Sequence, residues 1–453
     1  MTHFPKEFLL GASTAAHQVE GNNTNSDCWA MEHMEHTSYV EPSLDAVDHY
    51  NRYEEDIKLM AEAGLNAYRF SLEWARIEPE EGVFSKEAVE HYRSVIRCCR
   101  KYGVEPVVTL HHFSSPIWLI SKGGWEAETT IDDFARYTRY VIEKLGDEIN
   151  YICTINEANM GLQITAIAER YKRQMMAQMA KAQETAGKDD ADGTVQVGIN
   201  LQKMMEEQKE AAEENKKVFG VEKVANFTSV RSVESDILVM KAHQAAKEVI
   251  RELAPQIQVG LTLSLHDMQV VQAGGEPFAE EEWENEFTHY LPYIQNDDFL
   301  GVQNYTRSLF GPEGGMPSPE GAELTQMNYE VYPEALEHVI RKVAENFKGT
   351  LLVTENGIAT DDDSRRVAFI EKALEGVQNC IQDGIPVKGY FHWSLLDNFE
   401  WQKGYSMTFG LIAVDRSTQT RIPKKSLTYL GSFRQIREGI LWNMCFHLKI
   451  QLI

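Results

Sequence analysis

The chain alternates short, continuously apolar runs with longer stretches whose apolar positions recur at helical spacing. Runs at 8–13, 66–71, 105–111, 151–157, 259–264, 299–305, 350–355 and 388–394 have the length of strands. Helical patterns fill 45–63, where Gly64 supplies a stop, and then 85–102, 131–145 and 235–253. Strands that are apolar throughout are covered on both faces, and strands separated by helices pair in parallel. The pattern predicts an α/β chain folded as a single (β/α)8 TIM barrel, whose functional groups gather at the carboxyl ends of the strands. After the fourth strand it changes: residues 161–230 are rich in Ala, Lys, Glu, Gln and Met and read as an extended helical insertion near the site mouth, broken at 187–193. Met175, Met176, Met179, Met204 and Met205 fit an interhelical seam better than an adaptable surface over that mouth.

Composition narrows the partners. Across 453 residues, 44 Lys and Arg stand against 69 Asp and Glu, a net charge of −25. Phosphate backbones and anionic membranes require clustered cations, so this balance argues against nucleic acid and against a membrane surface. The six cysteines are scattered and read as reduced packing thiols. The first residues lack the basic and apolar regions of a secretion signal, and no run has the length of a membrane span, which points to a soluble, cytoplasmic protein. The acidic helical insertion is also a candidate oligomer contact.

Two apolar runs end in carboxylates. Leu351-Leu352-Val353-Thr354-Glu355-Asn356-Gly357 stops at Glu355, and Tyr151-Ile152-Cys153-Thr154-Ile155-Asn156-Glu157 stops at Glu157 behind Asn156. Two carboxylates on two strand ends are the minimum apparatus for cleaving a glycosidic bond. Arg69 lies inside a strand and is costly to bury unless it faces a carboxylate, so a partner near the barrel axis is expected. His111 and His112 alternate sides on an extended chain, which argues against their ligating one metal; one facing a sugar hydroxyl is the better reading. Gln18 follows small residues that let it point into an opening. Residues 26–44 look like a loop, and Glu32-His33-Met34-Glu35-His36 has the letters but not the spacing of a zinc helix, so its histidines read as solvated loop residues and no metal is expected. Trp393, Glu400 and Trp401 place two indoles around a carboxylate, which suits a pyranose: the indole faces cover its C–H side and the carboxylate accepts from its hydroxyls.

These motifs resemble those of the glycoside hydrolase family 1 β-glycosidases, the β-glucosidase family, over nearly the whole length. Thr154-Ile155-Asn156-Glu157-Ala158 matches the family's acid/base motif, and Val353-Thr354-Glu355-Asn356-Gly357 its nucleophile motif. The resemblance implies that Glu355 attacks the anomeric carbon and Glu157 protonates the leaving oxygen, with retention of configuration and with no cofactor. It further implies that Arg69 and Tyr305 orient the nucleophile. Gln18, His112, Asn156, Glu400 and Trp401 then match positions that bind hydroxyls of the nonreducing sugar, and Trp393 its stacking floor. Family members acting on 6-phosphosugars replace Glu400 and Trp401 and add a cationic clamp; both are retained here, which favours an unphosphorylated β-glucoside, with β-galactosides and β-fucosides also plausible.

Several positions depart from the family pattern. Ala158 stands for the usual Pro, Gln303 and Asn304 replace the usual Asn-Tyr before Tyr305, and Tyr329 stands where an aglycone-facing Trp is common. Gln303 is thereby placed near the 2-hydroxyl and Tyr329 on the aglycone side. The glycosidase domain is expected to span 1–439, leaving 440–453 as a C-terminal extension that is either a docked element or a cloning read-through. Three rivals share the barrel: a 6-phospho-β-glycosidase, a transglycosylase, and a catalytically silent sugar-binding barrel.

Overall fold

The computed structural model describes residues 4–169, 172, 176, 194–195 and 199–434. Its core is a parallel sheet of β1 (Leu9–Ser13), β2 (Ala67–Ser71), β3 (Glu105–His111), β4 (Tyr151–Ile155), β5 (Gln258–Gly260), β6 (Thr262–Ser264), β7 (Phe299–Gln303), β8 (Thr350–Asn356) and β9 (Val387–Trp393). Its order is β5-β4-β3-β2-β1-β9-β8-β7-β6. The run predicted at 259–264 is therefore two segments, which change partner at Leu261: β5 pairs with β4, and β6 pairs with β7. One strand position serving both neighbours brings the ends of the sheet together, so the architecture is a (β/α) barrel of TIM type.

Helices α1 (His49–Glu62), α2 (Lys86–Lys101), α3 (Thr129–Leu145) and α4 (Val233–Leu253) follow the predicted periodicities within a few residues, and α5 (Ala335–Asn346) and α6 (Asp363–Gln382) join them. Their starts have chemical causes. Ser85 Oγ accepts the amide of Ala88 at the head of α2, and Asp362 accepts that of Ser364 at the head of α6. Between β4 and α4, residues 160–169 are helical and a further helix covers Leu201–Phe219. Met176 is exposed; Met175 and Met179 lie outside the described residues, as do the side chains of Met204 and Met205 and the stretch 440–453.

The stretch expected as a loop at 26–44 begins with a short helix, Asp27–Glu32, capped by Ser26 Oγ on the Trp29 amide. Its last residue is buried: Glu32 accepts from Ser43 Oγ at 2.7 Å and lies 3.2 Å from His17 Nε2. Inside the barrel, Leu9, Ala67, Val107, Cys153, Phe299, Leu352 and Phe391 form one apolar layer. Side chains alternate along a strand, so residues two further on face the same axis. Above Ala67 that residue is Arg69, and above Phe391 it is Trp393. The layer thus closes the barrel below and leaves its carboxyl end to polar chemistry.

Candidate active site

At the carboxyl end of the sheet a cavity of about 410 Å³ opens to solvent. Its wall includes His112, Glu157, Tyr305, Tyr329, Glu355, Trp393, Glu400 and Trp401, brought in from separate stretches of chain. Glu355 arrives on β8, where the ladder with β9 slips between Val353 and Asn356; such irregularities re-aim side chains beside functional sites. Arg69 Nη1 donates to Glu355 Oε1 at 2.6 Å, and Tyr305 donates to Glu355 Oε2, also at 2.6 Å. The carboxylate partner expected for Arg69 is therefore Glu355. Glu157 follows β4 with φ of 43°, a left-handed conformation costly for a residue with a side chain. Its amide is held by Thr262 Oγ1 at 2.8 Å.

The two buried carboxyl groups are treated differently. Burial pushes Glu157 well above the ordinary carboxyl range, the Glu355 charge adds to the rise, and Arg69 only partly offsets it. The charge of Glu355 could be anticipated from the two motifs; the burial that outweighs it could not. Burial also raises Glu355, but Arg69 and the Tyr305 hydroxyl pull it back. Glu157 is thus the group that keeps a proton. His112 is driven well below its usual range by burial and by Arg69, so it is a neutral imidazole.

A second layer stands behind the wall. Asn156 Oδ1 accepts a short bond from Arg69 Nη2 and a second from Gln303 Nε2 at 3.1 Å, while its Nδ2 meets His112 Nε2 at 3.1 Å. Gln303 Oε1 takes the Thr262 hydroxyl at 2.6 Å. Asn156 and Gln303, both expected to touch sugar, are committed to neighbouring side chains in this arrangement. Gln18 lies beneath Glu400, donating to the Phe399 carbonyl at 2.7 Å and to Glu400 Oε2 at 3.3 Å, and its Oε1 has no protein partner. His112 Nδ1 is likewise without one. Trp393 and Trp401 flank His112 with ring centroids 5.7 and 6.2 Å away, and His17 stacks on Trp401 at 5.8 Å.

Sequence reasoning missed Thr262 and Ser264. Their signal was present: two hydroxyls at period two in an otherwise apolar run, both therefore on one face. It also missed the outer wall, which includes Phe113, Met160, His266 and Met327. His111 faces away from the cavity, toward Ser115 Oγ at 3.0 Å. Among the described residues no three His, Cys, Asp or Glu side chains gather as a metal-ligating group, and no helix is long and apolar enough to cross a membrane.

A family model described as glycosyl hydrolase family 1 matches residues 1–438. The chain belongs to glycosyl hydrolase family 1. It is similar to a solved β-glycosidase, BGL167, with 44% identity, 96% of this chain and 98% of that one covered, and a TM-score of 0.83. Beta-glucosidase A of Thermotoga maritima is 29% identical over 93% of this chain and 96% of its own. The 6-phospho-beta-galactosidase 1 of Streptococcus pneumoniae is 28% identical over 95% and 98%. The family 1 chain is accordingly an enzyme, a glycosyl hydrolase of the β-glucosidase type.

Proposed function

We propose that this enzyme is a retaining exo-β-glycosidase that removes the terminal nonreducing β-D-glucosyl residue of small glycosides by double displacement. The observation that carries the reading is the unequal treatment of two buried carboxyl groups: Glu355 held between Arg69 and Tyr305 as an anion, and Glu157 buried without a cation of its own. In the first step a Glu355 oxygen bonds to the anomeric carbon as the glycosidic bond breaks, and the Glu157 proton goes to the leaving oxygen. Esterification removes the Glu355 charge, so Glu157 loses that contribution to its raised pKa and becomes the base. It then takes a proton from water, whose oxygen displaces Glu355 and restores both groups.

Arg69 and Tyr305 hold the nucleophile. Asn156 and Gln303 act through Arg69, His112 and Thr262 as orienting residues. His112, with its free Nδ1, Glu400, Gln18 and Trp401 receive sugar hydroxyls, Trp393 forms the floor, and Tyr329 borders the leaving group. Burial lifts Glu400 to about 8, so charge repulsion of a 6-phosphate is weak near neutrality. The case for a plain sugar rests instead on cations: Arg69 is engaged by Glu355, and Lys403, the one Lys or Arg on the described cavity wall, is exposed at its rim. The five cysteines among the described residues are buried and free, which fits a reducing, cytoplasmic setting.

The test is hydrolysis of p-nitrophenyl β-D-glucoside, galactoside, fucoside and 6-phosphoglucoside by wild type and by Glu355→Gln, with NMR of the first anomer released. The β anomer should appear first, the plain glucoside should be preferred, and the variant should lose about four orders of magnitude in kcat, roughly 5 kcal/mol of barrier. Release of the α anomer, or preference for the phosphorylated sugar, overturns the proposal.

A further inference from the structure

We infer that the insertion helix Leu201–Phe219 acts on the sugar site through a brace, with Glu214 and Glu41 as positioning residues that hold the segment bearing Glu400 and Trp401. What that segment binds rests on the glycosidase reading above. Trp401 has φ of 45°, a left-handed backbone that a bulky residue keeps only where its surroundings impose it. Its own turn imposes part of this: the Gly404 amide donates to the Trp401 carbonyl at 3.1 Å, and the Glu400 amide to the Gly404 carbonyl at 2.7 Å. A further part comes from residues 39–43, far away in sequence. The Val40 amide donates to the Gln402 carbonyl at 3.3 Å, the Tyr405 amide to Glu41 Oε1 at 2.9 Å, and the Tyr405 hydroxyl to the Ser43 carbonyl at 2.5 Å. The Tyr39 ring lies parallel to that of Phe399, 6.2 Å away. A Cβ on Gly404 would strike the Glu41 carboxyl, so the two segments are in close contact.

Residues 39–43 hang between two anchors. At one end Ser43 Oγ donates to the buried Glu32 at 2.7 Å, and Glu32 stands 3.2 Å from His17 Nε2, whose ring stacks on Trp401. At the other end, just past the short helix Asp27–Glu32, the amides of Glu35 and His36 donate to the two oxygens of Glu214 at 2.7 and 2.9 Å. Glu214 lies in the carboxyl-terminal half of Leu201–Phe219, and Phe219 at the end of that helix packs with Met34 and Ile120. Two charge-assisted bonds to main-chain amides, beside an apolar contact, fix where the stretch begins. Water could serve both amides as well, so what Glu214 adds is position.

A sugar contact made equally in the ground and transition states is read in KM, whereas a disturbance of Glu157 or Glu355 is read in kcat and in the limbs of the pH profile. Glu214→Ala should therefore raise KM for p-nitrophenyl β-D-glucoside about fivefold, with kcat and both limbs in place. Glu41→Ala should do the same, and Glu41→Gln, which keeps an acceptor for the Tyr405 amide, should behave as wild type. The double alanine variant should scarcely exceed the larger single, because both changes cut one chain of contacts. An unchanged KM in Glu214→Ala, limbs that move with KM, or KM factors that multiply in the double variant overturn the inference. Hydrogen–deuterium exchange of the same proteins needs no substrate: amides in 35–43 and 400–405 should exchange faster in Glu214→Ala while those of β8 keep wild-type rates. Wild-type exchange at 400–405 overturns the brace whatever the activity. A wild type inert toward every β-glycoside, with faster exchange there in the variant, refutes the glycosidase reading alone.

Discussion

Tyr305→Phe deletes one oxygen and tests what offsets the burial of Glu355. The Tyr305 hydroxyl donates to Glu355 at 2.6 Å and lowers its pKa, against burial, which raises it. Without that donor the Glu355 pKa rises further, so the acid limb of the kcat/KM profile should move to higher pH, with a loss of about 10- to 100-fold at neutrality. An acid limb that stays in place would show that Arg69 alone sets the charge. Thr262→Val is the matching test for Glu157, the proposed acid. The isosteric change strips the acceptor from the Glu157 amide and the donor from Gln303, leaving buried polar groups unpaired at a cost of about 1–3 kcal/mol each. Both denaturant midpoint and kcat should fall; a variant that loses stability but keeps kcat would make Thr262 merely structural. Glu157 and Glu355 were legible in the sequence because a charge ending an apolar strand contradicts its surroundings. The left-handed backbones of Phe113, Glu157 and Trp401 were not, since none carries the glycine or asparagine that would announce them.

Strand β8 and its neighbour β9 explain the glycine two residues after Glu355. A Cβ on Gly357 would collide with the main-chain carbonyl of Trp393, which cannot turn aside as a side chain can. Gly357→Ala should therefore push apart the strand bearing Glu355 and the one bearing Trp393, costing about 1–3 kcal/mol as overpacking does and lowering kcat/KM at least tenfold. Unchanged urea midpoint and activity together would show that the junction is slack. At this scale the barrel was readable because its strands are apolar on both faces. The interruption at Leu261 was not: both halves are equally apolar, and their division follows from closing the ring, a constraint set by partners far away in sequence. The short helix Asp27–Glu32 escaped for a related reason, since its buried end is secured by His17 and Ser43 rather than by its own periodicity.

For the molecule as a whole, several carboxyl groups are buried with little cationic company in a chain already at −25. Glu73 is the clearest: burial first, then the nearby Glu20 charge, lift it to about 8. It still accepts the Ala75 amide at 3.1 Å and the Ser114 hydroxyl at 3.2 Å. A carboxyl whose pKa is raised by folding binds its proton more tightly in the native state, so its contribution is complete below the ordinary value of 4.5 and is lost as pH rises toward about 8. A tenfold difference in proton affinity between the folded and unfolded chain corresponds to about 1.4 kcal/mol, so the loss from this residue reaches a few kcal/mol at the upper end. Asp56 has the opposite sign. Burial works against its charge, but Arg421 and His49 hold its pKa below the usual value, so its contribution is present above 3.8 and fails only as pH falls. Glu73→Gln keeps the acceptor and cannot ionise, and therefore escapes the loss. Its Tm should match wild type near pH 5 and exceed it by several degrees near pH 8 in calorimetric scans of both proteins across that range. A constant Tm difference at every pH would mean that Glu73 is already ionised in the folded enzyme, with water or Arg76 carrying its charge.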